Sequence, residues 1–226
     1  MQKIVDANEK SCNAPKERTF SQVGVKRLVR PVAVSVVRDF IQEYHYSKNI
    51  NGCKITQCYA LYDDGELTGA MLFGELSTTA WKKYGESEKD VIELRRLVTL
   101  DKCPRNTESM FIAKCLKFLK KEYDYKICIS YADPFHNHVG FVYQASNWSF
   151  LGRTPKDKLL VTPEGRSYHS RALRTKYKGE HKPFVKRLRK MQEDGVLEEV
   201  VTPGKYIYSY NLVSTQHATG LPYPKA

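Results

Sequence analysis

Strand-like and helix-like segments alternate along most of this sequence, and this alternation is the strongest constraint on its fold. Apolar residues spaced by three and four predict helices, and short β-branched and aromatic runs between turn residues predict strands. The predicted elements are a helix over 32–44, hairpin strands 57–63 and 67–74, a strand 91–100, a helix 109–121, a strand 126–131, a short helix 139–145 and strands 149–153 and 205–212. This order predicts an α/β sheet with helices packed on it and functional groups at strand ends and in loops.

The two longer predicted helices each have an apolar face. In the first, Val36, Phe40 and Tyr44 are spaced to lie on one side. In the second, lysines occupy the side opposite an apolar row made of Phe111, Cys115, Phe118 and Leu119. Faces of this kind are expected to pack against the sheet.

Positive charge is concentrated in residues 154–199, which we predict to be an insertion before the last strand. The chain has a formal net charge of +12, and between Arg153 and Lys190 thirteen Lys or Arg residues face three acids. Aromatic residues are interleaved with them, a composition that favours contact with nucleic-acid phosphates and bases. Within a predicted basic helix over 182–192, the candidate DNA contacts are Lys186, Arg187, Arg189 and Lys190. The alternative is a solvated basic surface.

The remaining composition limits the class of protein. The first residues contain no apolar core followed by a cleavage site, and no run of about 18 apolar residues occurs, so neither a signal peptide nor a membrane span is predicted. The six cysteines contain no Cys-x-x-Cys pair. They are therefore interpreted as reduced thiols in a cytoplasmic protein. Residues 1–24 are predicted to be a flexible arm, and residues 25–226 a single domain that contains the insertion.

Four short segments together resemble the Mom family of phage DNA-modification proteins, over roughly residues 30–153. They are His45-Tyr46-Ser47-Lys48, the stretches 93–97 and 104–109, and the most specific one, 130–148. The resemblance implies a mixed sheet of the Gcn5-related N-acetyltransferase type in the cytoplasm of a bacterial host. It also implies conversion of adenine in double-stranded DNA to N6-carbamoylmethyl-adenine, which protects the DNA from host restriction.

Two residues are the main catalytic candidates under this resemblance. Asp133 directly follows a predicted strand, where its carboxylate could accept a proton from the adenine amine, a poor nucleophile that needs positioning and a base. Alternatively, Asp133 followed by Pro134 caps a turn. Tyr143 stands where acetyltransferases of this fold often keep a tyrosine acid for the leaving group; the alternative is a core aromatic packed near Val139.

Other residues are expected around the substrate. His45 and Tyr46 lie in an early loop that would face the cleft and are added to the catalytic set, although a hydrogen-bonded surface histidine is the alternative. Base-modifying enzymes surround an extruded base with hydrogen-bonding and stacking groups. The candidates for this substrate role are Ser47, Lys48, Ser130, Tyr131, Gln144, Asn147 and Trp148. Trp148 could equally be a core residue.

The predicted donor site departs from the acetyltransferase pattern. In that pattern a glycine-containing turn at a helix start holds the pyrophosphate of coenzyme A, whereas the turn over 104–109 contains no glycine. Free amides of the helix N-terminus could still bind phosphate. The candidate donor-binding residues are Arg96, Arg105, Asn106, Thr107 and Ser109. Because a carbamoylmethyl group is an isomer of a glycyl group, the donor is either an acyl-coenzyme A or a glycine-derived aminoacyl compound such as an aminoacyl-tRNA.

A metal site is the less favoured alternative. Asp133, His136 and His138 have the composition of a two-histidine, one-carboxylate iron site. His-x-His places both rings on one side only when the backbone is extended. We therefore predict no metal and keep iron as the weaker option.

Two rival functions fit the same sequence. One is an ordinary N-acyltransferase that acts on a protein or a small amine, and the missing glycine turn counts against it. The other is a DNA-binding module with an inactive transferase core, which would bind DNA without changing its mass.

Overall fold

The computed structural model describes residues 26–50, 52, 54–76, 79–214 and 220–225; the predicted arm over 1–24 lies outside them. The helices and strands in chain order are β1 Arg27–Pro31, α1 Val34–Tyr44, β2 Ile55–Asp63, β3 Glu66–Gly74, β4 Val91–Thr99, α2 Thr107–Glu122, β5 Ile127–Ala132, α3 Phe141–Gln144, β6 Ser149–Arg153, β7 Asp157–Val161, β8 Ser167–His169, β9 Lys176–Tyr177, β10 Glu180–His181, α4 Pro183–Glu193, β11 Glu198–Thr202 and β12 Tyr206–Asn211. Short 3-10 helices include Pro134–His136. The described chain divides into a main unit, residues up to 153 and from 206, and an insertion unit, residues 154–205.

The main unit is built on a seven-stranded sheet in the order β1-β2-β3-β4-β5-β12-β6. Neighbouring strands are antiparallel except β4 and β5, which are parallel. A parallel pair needs a crossover connection, and α2 provides it. The predicted mixed sheet flanked by helices, with a basic insertion before the last strand, is confirmed.

Alternation along β2 and β3 divides the core between the two faces of the sheet. Successive side chains of a strand point to opposite faces. One face packs on α2 through a cluster that includes Tyr59, Leu61, Met71 and Phe73. The other face packs on α1 through a cluster that includes Cys58, Ala60, Ala70 and Leu72. Both faces of the central strands are therefore buried.

The predicted apolar face of α1 was wrong by one position. Val36 and Tyr44 are each 48% exposed, whereas the buried residues are Val37, Phe40 and Ile41. The sequence contains two overlapping apolar rows that share Phe40. Packing against the sheet buries the second row, and sequence spacing alone does not distinguish the two.

The insertion unit has a small core of its own. A three-stranded sheet in the order β11-β7-β8 is accompanied by the β9–β10 hairpin and by α4, which buries Val185 and Leu188. At the point of entry the backbone N–H of Thr154 donates to the carbonyl of Lys205 at 2.9 Å. In return, the N–H of Lys205 donates to Thr154 Oγ1 at 2.9 Å. The predicted insertion over 154–199 lies within this unit, and α4 begins at Pro183, as a proline near a helix start suggests.

Two further observations complete the fold. The strand β1, with the sequence RLVRP, was not predicted from the pattern. Among the described residues it pairs only with β2, at the edge of the sheet, where polar residues are tolerated,. Within the described residues, every helix is too short or too polar to span a lipid bilayer.

Candidate active site

The sheet of the main unit opens into a fork between β4 and β5. The two strands pair from Val91 to Leu94 on one side and from Ile127 to Ser130 on the other, and no further. At this point β4 contains an extra residue, Arg95, because Leu72 pairs with Arg96 while Phe73 pairs with Leu94. A bulge bends its strand and increases the local twist. It therefore provides the physical reason that β4 leaves β5 at Leu94.

Tyr143 and Ser130 meet at the base of this fork. Ser130 Oγ lies 2.8 Å from Tyr143 Oη and 3.0 Å from the carbonyl oxygen of Leu94. The serine has one proton and the carbonyl can only accept, so when Ser130 donates to Leu94 the tyrosine donates to Ser130. Burial raises the pKa of Tyr143 well above its usual value, and the nearby Tyr46 raises it further. Tyr143 is thus a protonated hydroxyl that is hydrogen-bonded to Ser130.

The position of Tyr143 is fixed by a contact between α3 and β12 that sequence reasoning missed. Tyr208 Oη donates to the carbonyl of Val139 at 2.5 Å and accepts from the Gln144 amide at 3.0 Å. A Cβ at Gly140, which has φ +85°, would lie 2.3 Å from the Tyr208 ring. The tyrosines at every second position of β12 were the available signal, because that spacing places them on one face.

Replacing Gly140 with alanine is expected to lower the free energy of unfolding by about 2 to 4 kcal/mol, because left-handed strain adds to the clash with Tyr208. Gly65→Ala is the matched control: Gly65 has φ +89° but nothing lies within 4 Å of an added Cβ. Denaturant unfolding of both variants measures the difference. Equal losses in the two variants would contradict a tight contact at Gly140.

Asp133 follows β5 and caps the short helix Pro134–His136, so the turn-capping alternative is realised in the structure. Its carboxylate accepts from the backbone N–H of Phe135 at 3.1 Å. The turn brings two histidines against Tyr46, whose ring centroid lies 4.8 Å from that of His136 and 5.0 Å from that of His138. The predicted residues near 45 and those near 133 therefore come together.

His45 holds the loop that follows α1. Its Nδ1 accepts the backbone N–H of Ser47 at 3.1 Å and lies 2.8 Å from Ser47 Oγ. An N–H can only donate, so Nδ1 is the acceptor and the ring proton is on Nε2. Burial, with the positive charge of Arg96 and of two histidines nearby, lowers the pKa of His45 to about 3. His45 is therefore a neutral hydrogen-bond donor through Nε2.

The buried, neutral His45 makes stability depend on pH. The unfolded chain takes up this proton near pH 6.5, whereas the folded chain does so only near pH 3. Between these values the unfolded state binds more protons, so the free energy of unfolding should fall by up to a few kcal/mol as the pH decreases. We expect His45→Asn, which keeps an acceptor for the Ser47 N–H but does not titrate, to flatten this dependence. Denaturant unfolding from about pH 7 to about pH 4 compares the two proteins; parallel curves would show that His45 is not the titrating group.

Arg96 and Lys48 shape the same loop. The Arg96 guanidinium donates to the carbonyls of Asn49, at 3.1 Å, and of Arg95, at 2.7 Å. It thus ties the loop after α1 to β4. Lys48 is exposed and has a left-handed φ of 48°. The predicted role of Arg96 in donor binding and that of Lys48 in substrate binding stay predictions.

The turn before α2 has the left-handed backbone conformation that glycine usually adopts, although the residue there is not a glycine. Asn106 precedes the helix with a φ of 68°, a conformation that asparagine adopts more readily than other non-glycine residues,. Thr107 Oγ1 donates to the carbonyl of Pro104 at 2.6 Å, and Ser109 Oγ to that of Asn106 at 3.0 Å. Arg105 is exposed. The N–H of Thr107 donates to the carbonyl of Pro104 at 3.2 Å and that of Met110 to the carbonyl of Asn106 at 3.0 Å, so the amides without a helical acceptor are those of Glu108 and Ser109,.

The other predicted substrate residues lie in different environments. Trp148 is fully buried between Tyr143 and Tyr210, so neither face of its ring is open to a base in this arrangement. Asn147 is exposed, with a φ of 58°. Tyr131 is partly buried, and burial together with a hydrogen bond to Tyr84 raises its pKa.

Metal and thiol chemistry have little support among the described residues. There, no group of three or more His, Cys, Asp or Glu side chains is arranged to hold a metal ion, and Asp133, His136 and His138 do not form one. The described cysteines are buried free thiols, namely Cys58, Cys103, Cys115 and Cys128. Burial raises the pKa of Cys58 to about 12.

The basic residues predicted to contact DNA lie on α4 of the insertion unit. All four, Lys186, Arg187, Arg189 and Lys190, are exposed. The opposite side of α4 is buried through Val185 and Leu188. This arrangement leaves one charged helix face in solvent.

The fold and this site define an α/β protein whose sheet forks beside a hydrogen-bonded tyrosine. The model of the Mom protein family matches residues 26–225 of the chain, which therefore belongs to this family. The chain is 27% identical, over 168 residues, to the methylcarbamoylase Mom of Escherichia phage Mu, covering 71% of this chain and 67% of that protein.

Solved structures with a similar fold include acetyltransferases. One is NAA60 of Arabidopsis thaliana in complex with acetyl-CoA, with 10% identity, a TM-score of 0.46, and coverage of 82% of this chain and 98% of that one. Another is an N-acetyltransferase from Staphylococcus aureus, with 12% identity, a TM-score of 0.43, and coverage of 83% of this chain and 99% of that one.

Proposed function

We propose that this protein is a phage DNA-modification transferase that converts adenine in double-stranded DNA to N6-carbamoylmethyl-adenine and so protects the DNA from restriction. Membership of the Mom family is the observation that supports this most strongly. The site is consistent with it, because the fork brings a protonated hydroxyl, a carboxylate-bearing turn and a histidine loop into one region of the main unit.

In the proposed reaction, the chain positions two proton-transfer groups. The adenine N6 forms a bond to the electrophilic carbon of the donor, and the bond from that carbon to the leaving group breaks. The carboxylate of Asp133 takes the proton from N6, and the Tyr143 hydroxyl gives its proton to the leaving group, which departs neutral. His45, through Nε2–H, and Tyr46 orient the substrate beside them.

The start of α2 fits the anionic part of a donor. Asn106 supplies the left-handed turn that a glycine provides elsewhere, Arg105 is exposed beside it, and the N–H groups of Glu108 and Ser109 have no helical acceptor,. A coenzyme A thioester held there would supply an activated carbonyl carbon and a thiolate leaving group, and direct transfer from it or from a glycine-derived ester would give an N6-acyl adenine. The N6-carbamoylmethyl product instead requires that N6 bonds to the methylene carbon of the donor, either directly with loss of a leaving group from that carbon or by rearrangement of an N6-glycyl isomer. Assay with each donor distinguishes the two.

The insertion unit is proposed to supply the phosphate contacts. Neutralising four exposed cations, by Lys186→Gln, Arg187→Gln, Arg189→Gln and Lys190→Gln together, should weaken binding to all DNA sequences alike, because phosphate contacts contain no base information. The slope of log affinity against log salt should fall by about 0.9 for every phosphate that the variant no longer neutralises. Salt titrations of DNA binding measure both effects. Lys121→Gln in the main unit is the control, and an unchanged slope in the fourfold variant would remove α4 from the interface.

Mass spectrometry of nucleosides from bacteria that express the protein tests the proposed function. The expected product is a deoxyadenosine heavier by C2H3NO, the composition of one glycine residue, and fragmentation separates the N6-alkyl amide from its N6-glycyl isomer. DNA that contains only unmodified and methylated bases, from cells with folded protein, would refute the transferase. Binding without a mass change would support an inactive DNA-binding module, and acylation of a protein or small amine an ordinary acyltransferase.

A further inference from the structure

The β9–β10 hairpin of the insertion unit consists of two short strands and a tight turn. Tyr177 pairs with Glu180 and Lys176 with His181, so only Lys178 and Gly179 form the turn. Both have positive φ, 49° and 84°. This is the type I′ geometry, whose twist matches that of the flanking strands. The His181 ring further ties the hairpin down, because its Nδ1 lies 3.2 Å from the carbonyl of Thr175.

The hairpin presents an aromatic ring between two cations. Tyr177 is 64% exposed, more than any other aromatic side chain in the described part of the chain. The ammonium groups of Lys178 and Lys182 lie 5.8 Å and 5.7 Å from its ring centroid. The single acid of the hairpin, Glu180, lies 4.0 Å from Lys186 on α4. The two ammonium groups thus lie over the ring as cation–π contacts, and most of the side chain is still exposed to solvent.

We propose that Tyr177 inserts into the base stack of duplex DNA while Lys178 and Lys182 contact the flanking phosphates. This inference rests on the proposed function in one respect, that the partner is DNA. A flat ring beside a tight turn can wedge between the base pairs of a duplex, since every base offers a π face and stacking does not depend on sequence.

The surroundings of the ring favour DNA over a protein partner. A protein interface is centred on several buried apolar side chains enclosed by a polar rim. Around Tyr177 the adjoining residues are Lys176, Lys178 and Gly179, so its neighbours along the hairpin add no apolar surface to the patch. A lone aromatic among cations instead matches the combination of base stacking and phosphate contact.

Two variants separate stacking from charge. Tyr177→Ala should lower affinity for a short duplex by about 5- to 100-fold without changing the salt slope, because the ring is neutral. Tyr177→Phe should bind like the wild type. Lys182→Gln should instead lower the slope by about 0.9. Wild-type affinity for Tyr177→Ala, or a reduced slope in that variant, would overturn the insertion.

Fluorescence of 2-aminopurine, which rises when the base is unstacked, tests insertion directly. Duplexes with 2-aminopurine in place of scattered adenines should brighten with the wild type and with Tyr177→Phe at saturating protein, and not with Tyr177→Ala. Tyr123→Ala, which removes an exposed tyrosine of the main unit, should brighten them as the wild type does. Absence of brightening with the wild type would overturn the proposal. If Tyr177-dependent brightening occurs but no modified nucleoside is found, the transferase function fails and the insertion stands.

Discussion

Asp133→Asn is expected to lower the rate of adenine modification by about 10² to 10⁴, because the amide cannot accept the proton that leaves N6. The substitution preserves the turn. An asparagine oxygen can accept the Phe135 N–H as the carboxylate does, and the two residues cap helices about equally well,. The amount of modified nucleoside formed per unit time, at equal protein and DNA concentration, measures the effect.

The capping role of Asp133 is separated from catalysis by a second variant. Asp133→Ala removes the cap as well as the base and should lower the free energy of unfolding by about 1 kcal/mol more than Asp133→Asn does. If Asp133→Asn modifies DNA at the wild-type rate while Asp133→Ala is only less stable, the residue is a turn cap alone.

Tyr143→Phe is expected to lower the rate by about 10² or more while affinity for DNA stays unchanged, because only the proton for the leaving group is removed. The ring keeps its packing against Trp148 and Tyr208. Ser130 still donates to the Leu94 carbonyl, so no buried donor is left unsatisfied and stability should change by about 1 kcal/mol or less,.

Changing the donor gives a second test of whether Tyr143 protonates the leaving group. A donor whose leaving group is a stable anion needs no proton, so the deficit of Tyr143→Phe should shrink when such a donor replaces the natural one. Ser130→Ala is the matched control, since it removes the partner of the hydroxyl and keeps the hydroxyl itself. A Tyr143→Phe protein with full activity would make Tyr143 a core aromatic only.

The sequence predicts an element well when its apolar residues define a single face. In α2 the positions of Phe111, Cys115 and Leu119 leave a single buried face, and all three are fully buried. In α1 two apolar rows overlap at Phe40, and only packing against the sheet decides between them. The edge strand β1 has too few apolar residues for its pattern to stand out.

The candidate site could be predicted only in its local parts. The segments near His45 and near Asp133 were identified by resemblance. Their meeting through the ring of Tyr46 was not predicted, because it depends on how two distant loops pack. Nor was the bulge at Arg95, since it is a shift of register between β3 and β4 and not a property of either strand alone. The Gly140–Tyr208 contact likewise joins segments far apart in sequence.

The way the insertion unit joins the sheet has a consequence for how this protein can change. Its first and last residues, Thr154 and Lys205, are hydrogen-bonded to each other, and they leave from β6 and β12, which are neighbours in the sheet. The segment therefore occupies the place of a hairpin turn. Since doubling a loop costs only about 0.6 kcal/mol in closure entropy, it can be trimmed, lengthened or exchanged for another at this junction while the strands on either side stay paired. The proposed DNA-binding surface can thus diverge, or be engineered, independently of the proposed catalytic residues.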